Sequence, residues 1–338
     1  MFKVSVIIPF RNESEHLLSS IESFKAQSYP FDLYEVLFIN DDSNDNYKNL
    51  LSGINLPANI KFLDIPENFE NKPGKKRGVI YGVSQAKGEI ILGTDADCTV
   101  PPEWIETMVK QFDDLTGFVA GPVKFYSNGD YFSGIQQLEF AGLILSGAGL
   151  IGSDTPLICS AANIAYRKEL FIKAGQFEDD IDLVSGDDEF LMRAIASKTG
   201  FKVKFAWSSG ALVVTNPNKS IKDFYNQRKR WASKSLFYEN KTLILKLTGI
   251  YFLFLLSVIF IFLSIAGNTT ALILFVCFFV IKNLLEYNIL KRGQSTGISE
   301  IKPGVYIFAA LLHIPYILIS AFSGVLGNIK WKDRVHSR

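Results

Sequence analysis

A surplus of either charge is missing from this chain, with 35 Lys and Arg against 34 Asp and Glu in 338 residues. Nucleic-acid binders usually show a basic excess, so that class is excluded and no nucleic-acid partner is expected. Cysteine is scarce. Cys98, Cys159 and Cys277 are far apart and supply neither a disulfide framework nor a zinc spacing. A reduced, cytosolic setting accounts for them simply. The N-terminus lacks the long apolar core and small-residue cleavage site of a signal peptide, and opens on the strand-like Val4-Ser5-Val6-Ile7-Ile8.

What is present is unevenly spread. The chain is 48% hydrophobic with a mean hydropathy of +0.17, yet residues 1–240 read as an ordinary globular mixture and almost everything beyond Lys246 is apolar. The expected organisation is a soluble catalytic domain over 1–240, a membrane region over 241–330 and a basic tail over 331–338.

Strand and helix patterns alternate through the first hundred residues. Val4–Phe10, Glu35–Ile39, Ile60–Ile65 and Glu89–Leu92 read as strands. Asn12 with Glu15 resembles a capping box for a helix carrying Leu17, Leu18, Ile21 and Phe24, which Tyr29-Pro30 stops. After the loop Lys72-Pro73-Gly74, the residues Val79, Val83 and Ala86 give the next helix an apolar stripe. Such alternation implies an α/β fold with a mainly parallel sheet covered on both faces.

The middle section is less regular. Leu138–Leu145 begins an apolar helix, read as too short to cross a bilayer and therefore either a core helix or a surface helix on the membrane. Three spans are expected further on: Leu247–Ala266, Thr269–Leu290 and Val305–Ile329, the last with a possible kink at Pro315. With a cytosolic domain, Lys291, Arg292 and Lys302 fall inside, as the positive-inside rule wants. A complete third span would leave Lys330, Lys332, Arg334 and Arg338 outside, against that rule, so a re-entrant segment broken at Pro315 is the alternative.

The chemistry concentrates in a few clusters. Asp95-Ala96-Asp97 follows a strand, where open α/β sheets bind ligands, and its hard oxygen donors suit Mg²⁺ or Mn²⁺. Pro9-Phe10-Arg11-Asn12-Glu13 and Asp41-Asp42-Ser43 also end strands, where carboxylates can accept from a base or a ribose, although such clusters are ordinary turn formers as well. Ser185-Gly186-Asp187-Asp188 opens a helix. Acids there fit the helix dipole, or supply a general base for a hydroxyl nucleophile. Gln227-Arg228-Lys229-Arg230-Trp231 precedes the first span, and is either an interfacial anchor or a site for a diphosphate and a sugar ring.

Taken in order, these motifs and Lys75 before a helix resemble family 2 inverting glycosyltransferases of the GT-A fold, over about residues 1–240. The resemblance implies a Rossmann-like GT-A domain followed by C-terminal transmembrane helices. It implies a nucleotide-diphospho-sugar donor and a divalent metal, Mg²⁺ or Mn²⁺. Pro9, Arg11, Glu13, Asp42, Lys75 and Asp95 would line the donor pocket, with Asp95 and Asp97 at the metal. Asp188 would be the base, with Asp187 standing where the family usually has Glu. Gln227, Arg230 and Trp231 would serve the acceptor and the leaving diphosphate. The expectation is a multi-pass protein of the plasma or inner membrane, its catalytic domain cytosolic, that glycosylates a lipid or lipid-linked acceptor. A processive polysaccharide synthase is the nearer alternative; a nucleotidyltransferase or an inactive membrane scaffold are the others.

Overall fold

The computed structural model describes residues 1–69, 75–177, 186–234, 241–326, 329–331 and 334–336, with the side chains of Asp187, Thr242 and residues 325–336 left aside. The expected loop at Lys72-Pro73-Gly74, Ser185 and the Asp187 side chain therefore lie outside the described residues. The chain divides into two compact units, one of Met1–Tyr126, Leu143–Pro217 and Ser295–Ile298, the other of Ser127–Gly142, Asn218–Gln294 and Ser299–Arg338. This division differs from the expected cut at residue 240.

The first unit is built on a seven-stranded sheet. Its strands are β1 (Val4–Phe10), β2 (Tyr34–Asn40), β3 (Ile60–Asp64), β4 (Ile90–Gly93), β5 (Thr116–Ala120), β7 (Ile164–Arg167) and β8 (Lys202–Phe205), in the order β3-β2-β1-β4-β7-β5-β8. The short β6 (Val123–Phe125) and β9 (Val213–Thr215) pair separately. The pairs among β1 to β4 are parallel and β7 runs antiparallel between β4 and β5. This is the mainly parallel α/β architecture expected. Nearly every residue of β1 and β2 is buried, as central parallel strands covered on both faces require.

Pro9 sits in central β1 without breaking it. The Ile7 carbonyl faces β4, where it accepts from the Thr94 N–H. By alternation the missing N–H of Pro9 faces that same side, and pairing with β4 has already ended at Ile7 and Gly93. Helices α1 (Ser14–Lys25), α2 (Tyr47–Ser52), α3 (Lys76–Gln85) and α4 (Trp104–Val109) connect the early strands. On α3, a Cβ at Gly82 would stand 2.5 Å from Ile7 Cγ2, so glycine is what lets this helix lie on β1. Further along come α5 (Tyr131–Gly152), α6 (Lys168–Lys173) and α7 (Asp187–Thr199).

The second unit holds α8 (Ile221–Ser233), α9 (Lys241–Ile265), α10 (Thr269–Gly293) and α11 (Pro303–Leu326). Among the described residues four helices, where three were expected, are long and apolar enough to cross a membrane: Tyr131–Gly152, Leu243–Ile265, Thr269–Gly293 and Pro303–Gly324. The apolar segment at Leu138 is thus longer than expected. It differs from the others in burial, with 61% of its most apolar window covered against 11%, 11% and 22%, the mark of a protein-packed helix. Helix α11 runs through Pro315 without a break, so of the two alternatives it is the continuous helix that forms. Transmembrane helices tolerate such a proline when neighbours satisfy the freed backbone. Where a plain basic tail was expected, β10 (Ile329–Trp331) and β11 (Arg334–His336) form a short antiparallel pair.

Charge inside these helices is internally paired. Lys282 Nζ lies 2.7 Å from Glu286 Oε2, and His313 Nδ1 lies 2.9 Å from the other oxygen of the same carboxylate.

Candidate active site

The loops after β1 and β2 are locked to each other by backbone strain and hydrogen bonds. Asn12 and Asp42 both adopt φ of 55°, a left-handed conformation that Asn and Asp tolerate better than most residues. The Asn12 N–H donates to Ser43 Oγ at 3.0 Å, and Asn12 Oδ1 accepts from the Asn44 N–H at 2.9 Å. The expected capping box therefore does not form, because the Asn12 amide is committed to the other loop. Glu13 is the N-cap of α1 and makes no side-chain cap. Instead the Ser14 N–H donates to Asp45 Oδ2 at 2.8 Å, so a carboxylate from the neighbouring loop caps the helix.

Beside them, Arg11 Nη1 donates to the Asp41 carbonyl at 2.8 Å. Arg77, the second residue of α3, reaches both Asp41 and Asp42 at 3.3 Å and donates to the Pro66 carbonyl at 3.0 Å. Asp41 is 4% exposed, and the guanidinium supplies the counter-charge that a buried carboxylate needs. The Asp42 side chain is 55% exposed. Pro9 packs on the start of α3, where a Cβ at Gly78 would come 2.8 Å from Pro9 Cβ.

Lys75, immediately before α3, forms an ion pair with Asp95. The Asp95 and Asp97 carboxylates and Cys98 Sγ lie within 4.8 Å of one another. Burial, then the charges of Asp95 and Glu13, push the Asp97 carboxyl up to about 6. Thr215, on β9, donates to Asp97 Oδ2 at 3.2 Å, and Asn216 Nδ2 donates to the Asp97 carbonyl at 3.4 Å. Burial also pushes the Cys98 thiol well above its ordinary value, with Asp97 and Asp95 adding to the rise. The Asp97 carboxylate, opposed by burial and by the charge of Asp95, would be relieved by a divalent cation, and the oxygens of the pair suit Mg²⁺ or Mn²⁺. The residues present fit such an ion.

Asp188 stands in the first turn of α7. Gly186, at φ 99°, turns the chain into α7. Asp188 is 9% exposed. Its Oδ2 accepts from the Ala161 N–H and its Oδ1 from the Glu189 N–H, each at 2.8 Å. The next carbonyl, that of Ala162, accepts from Thr94 Oγ1 at 2.8 Å. A two-step hydrogen-bonded path thus joins the residue before Asp95 to Asp188. Pro9, Lys75, Gly93, Ala161 and Leu191 line one cleft there. The structure brings Pro9, Arg11, Glu13, Asp42, Lys75, Asp95, Asp97 and Asp188 to one edge of the sheet.

Gln227, Arg230 and Trp231 lie on α8 in the second unit. Ser220 caps α8, accepting from the Asp223 N–H at 3.1 Å. Gln227 Oε1 accepts from Asn218 Nδ2 at 3.0 Å, and the Trp231 ring lies against Phe140 with centroids 5.8 Å apart. Sequence reading missed Arg77, Thr215, Glu139 and Arg228. Only Arg228 had a local signal, since it interrupts the apolar face of an amphipathic helix.

The "Glycosyl transferase family 2" model matches residues 5–175, half of the chain. A curated relative, "Glycosyltransferase AglE" of Haloferax volcanii, is 28% identical over 60% of this chain and 64% of its own length. "Poly-beta-1,6-N-acetyl-D-glucosamine synthase" of Staphylococcus aureus (strain COL) is 24% identical over 68% of this chain and 53% of its own. The chain therefore spans between half and two thirds of the curated relatives it matches. Among solved structures, a mannosyltransferase of Pyrobaculum calidifontis in complex with GDP-Man and Mn²⁺ shares the fold, with a TM-score of 0.56 and 17% identity over 96% of this chain and 87% of that one.

Proposed function

This chain belongs to glycosyltransferase family 2, and from that premise we propose that it transfers one sugar, with inversion, from a nucleotide-diphospho-sugar to a hydroxyl of a lipid or lipid-linked acceptor at a membrane. The observation that carries this reading is the path Thr94–Ala162–Ala161–Asp188, which sets a buried carboxylate beside the Asp95–Asp97 pair.

Asp188 takes the proton of the acceptor hydroxyl as it attacks the anomeric carbon. Two backbone N–H donors fix this carboxylate while leaving lone pairs for that proton. Asp97 and Asp95 would hold a divalent cation, which when bound supplies positive charge to the leaving diphosphate. Pro9, Arg11, Glu13 and Asp42 orient the nucleotide, with Asp42 toward the base. Lys75 shares Asp95 and contributes charge to the same pocket. Gln227, Arg230 and Trp231 serve the acceptor and the diphosphate, a reading supported by the family resemblance. The apolar helices fit membrane association. With Lys291 and Arg292 on the cytosolic side, the catalytic domain faces the cytosol.

The test is to incubate membranes carrying the protein with a panel of labelled nucleotide-sugars and Mn²⁺, then to extract lipid and polymer fractions. The expected result is donor-dependent label in a lipid carrying one added sugar, lost in Asp188→Asn. Label in long polymer would favour the processive alternative that the second relative suggests. Pyrophosphate release from a nucleoside triphosphate, or label unaffected by Asp188→Asn, would overturn the reading.

A further inference from the structure

The most deeply buried polar side chain of α8 is not one of the three motif residues. Arg228 is 2% exposed. An uncompensated guanidinium in such a place is strongly unfavourable, so its partners define its task. The guanidinium carbon stands 4.2 Å from the Trp231 ring centroid and 4.6 Å from that of Phe224, between two aromatic faces. Its Nη2 is ion-paired with Glu139 Oε2, and its Nη1 donates to Gln227 Oε1. The other Glu139 oxygen accepts from the Tyr316 hydroxyl at 2.7 Å. One residue outside the motif thus grips two residues inside it.

We propose that Arg228, clamped by Glu139 of α5 and through it by Tyr316 of α11, is a positioning residue for the acceptor side of the reaction. It sets the plane of the Trp231 indole and the rotamer of Gln227 and touches no substrate. Only arginine suits the place. A planar fork can lie flat between two rings while donating in two directions, whereas the ammonium of lysine satisfies Glu139 as a point charge and leaves the rings unfilled. What this positioning achieves rests on the acceptor-side reading of Gln227 and Trp231. The positioning itself is a property of these side chains and is measurable without a substrate.

The full-length protein labelled with 5-fluorotryptophan has four indoles, Trp104, Trp207, Trp231 and Trp331, and Trp231→Phe assigns the resonance of interest. In Arg228→Lys and in Glu139→Gln, the Trp231 ¹⁹F resonance is expected to shift or broaden while the Trp104 resonance stays in place. With the donor identified in the panel, kcat is expected to fall by about tenfold or more, with the donor KM within about threefold, as for a misplaced group rather than lost donor binding. Should Arg228→Lys not fold, the near-isosteric Glu139→Gln carries the test. An unmoved Trp231 resonance in the folded variants, or turnover within about twofold of the parent, overturns the proposal. Full activity of Trp231→Ala would sink the acceptor-side reading instead, and the ¹⁹F result would then decide the positioning by itself.

Discussion

Asp97→Asn should stabilise the metal-free protein while abolishing transfer. In the folded chain the Asp97 carboxyl titrates at about 6 rather than 3.8, through burial and the charges of Asp95 and Glu13. A raised carboxyl means that the folded state holds its proton longer than the unfolded state does. Stability is therefore greatest below the unfolded value and is lost as pH rises toward about 6, beyond which the full cost is present. That interval corresponds to about 3 kcal/mol if wholly expressed. The Asp97 side chain is only partly buried, and screening by solvent reduces the figure to about 1.5 kcal/mol. For a chain of 338 residues that is roughly 2 °C in Tm.

Asparagine keeps an oxygen to accept from Thr215 and sheds the charge. With chelator at about pH 7.5, a thermal melt should place Asp97→Asn above the parent by that margin, shrinking to about a third of it near pH 4.5. Millimolar Mn²⁺ should raise the parent and leave the variant unmoved. A variant melting at or below the parent at neutral pH in chelator would refute the reasoning.

Three further outcomes follow from the same geometry. Gly82→Ala places a Cβ 2.5 Å from Ile7 Cγ2 and should destabilise the first unit by about 1–3 kcal/mol in denaturant melts. Asp64 is held below its ordinary value chiefly by its hydrogen bond from Asn40. Its contribution is present above the unfolded value and lost as pH falls through the folded one, so Asp64→Asn should narrow the stability difference between pH 6 and pH 3 by less than about 1 kcal/mol for so exposed a group. Cys98, buried and held as thiol by Asp97 and Asp95, should resist iodoacetamide at pH 8 until the protein is unfolded, and mass spectrometry of the alkylated peptides checks this.

The four leading strands were legible in the sequence to within a residue at either end, because each is an apolar run closed by turn-forming residues. The Asp-x-Asp was legible for the same reason, being the stop signal of such a run. Arg77 and Thr215 were not legible. Each is a single polar residue whose meaning arises only when α3 crosses the end of β2, or when β9 reaches Asp97, and no local period encodes that. The length of α5 was hidden by its glycines and serines, which lower propensity while packing supplies the stability. Pro315 left two readings open, since the rule that proline ends a helix weakens among apolar helices.

The Lys282–Glu286–His313 cluster bears on how the chain is made. In the bilayer reading, α10 would emerge from the ribosome with a lysine and a glutamate that insertion scales charge at about 2.5–3.5 kcal/mol for such a side chain at mid-depth. Their mutual pairing removes net charge early, but the second oxygen of Glu286 waits for an imidazole about one helix later in synthesis. In that reading, release of α10 would be tied to the arrival of α11, and the two helices would enter lipid as a hairpin rather than one by one.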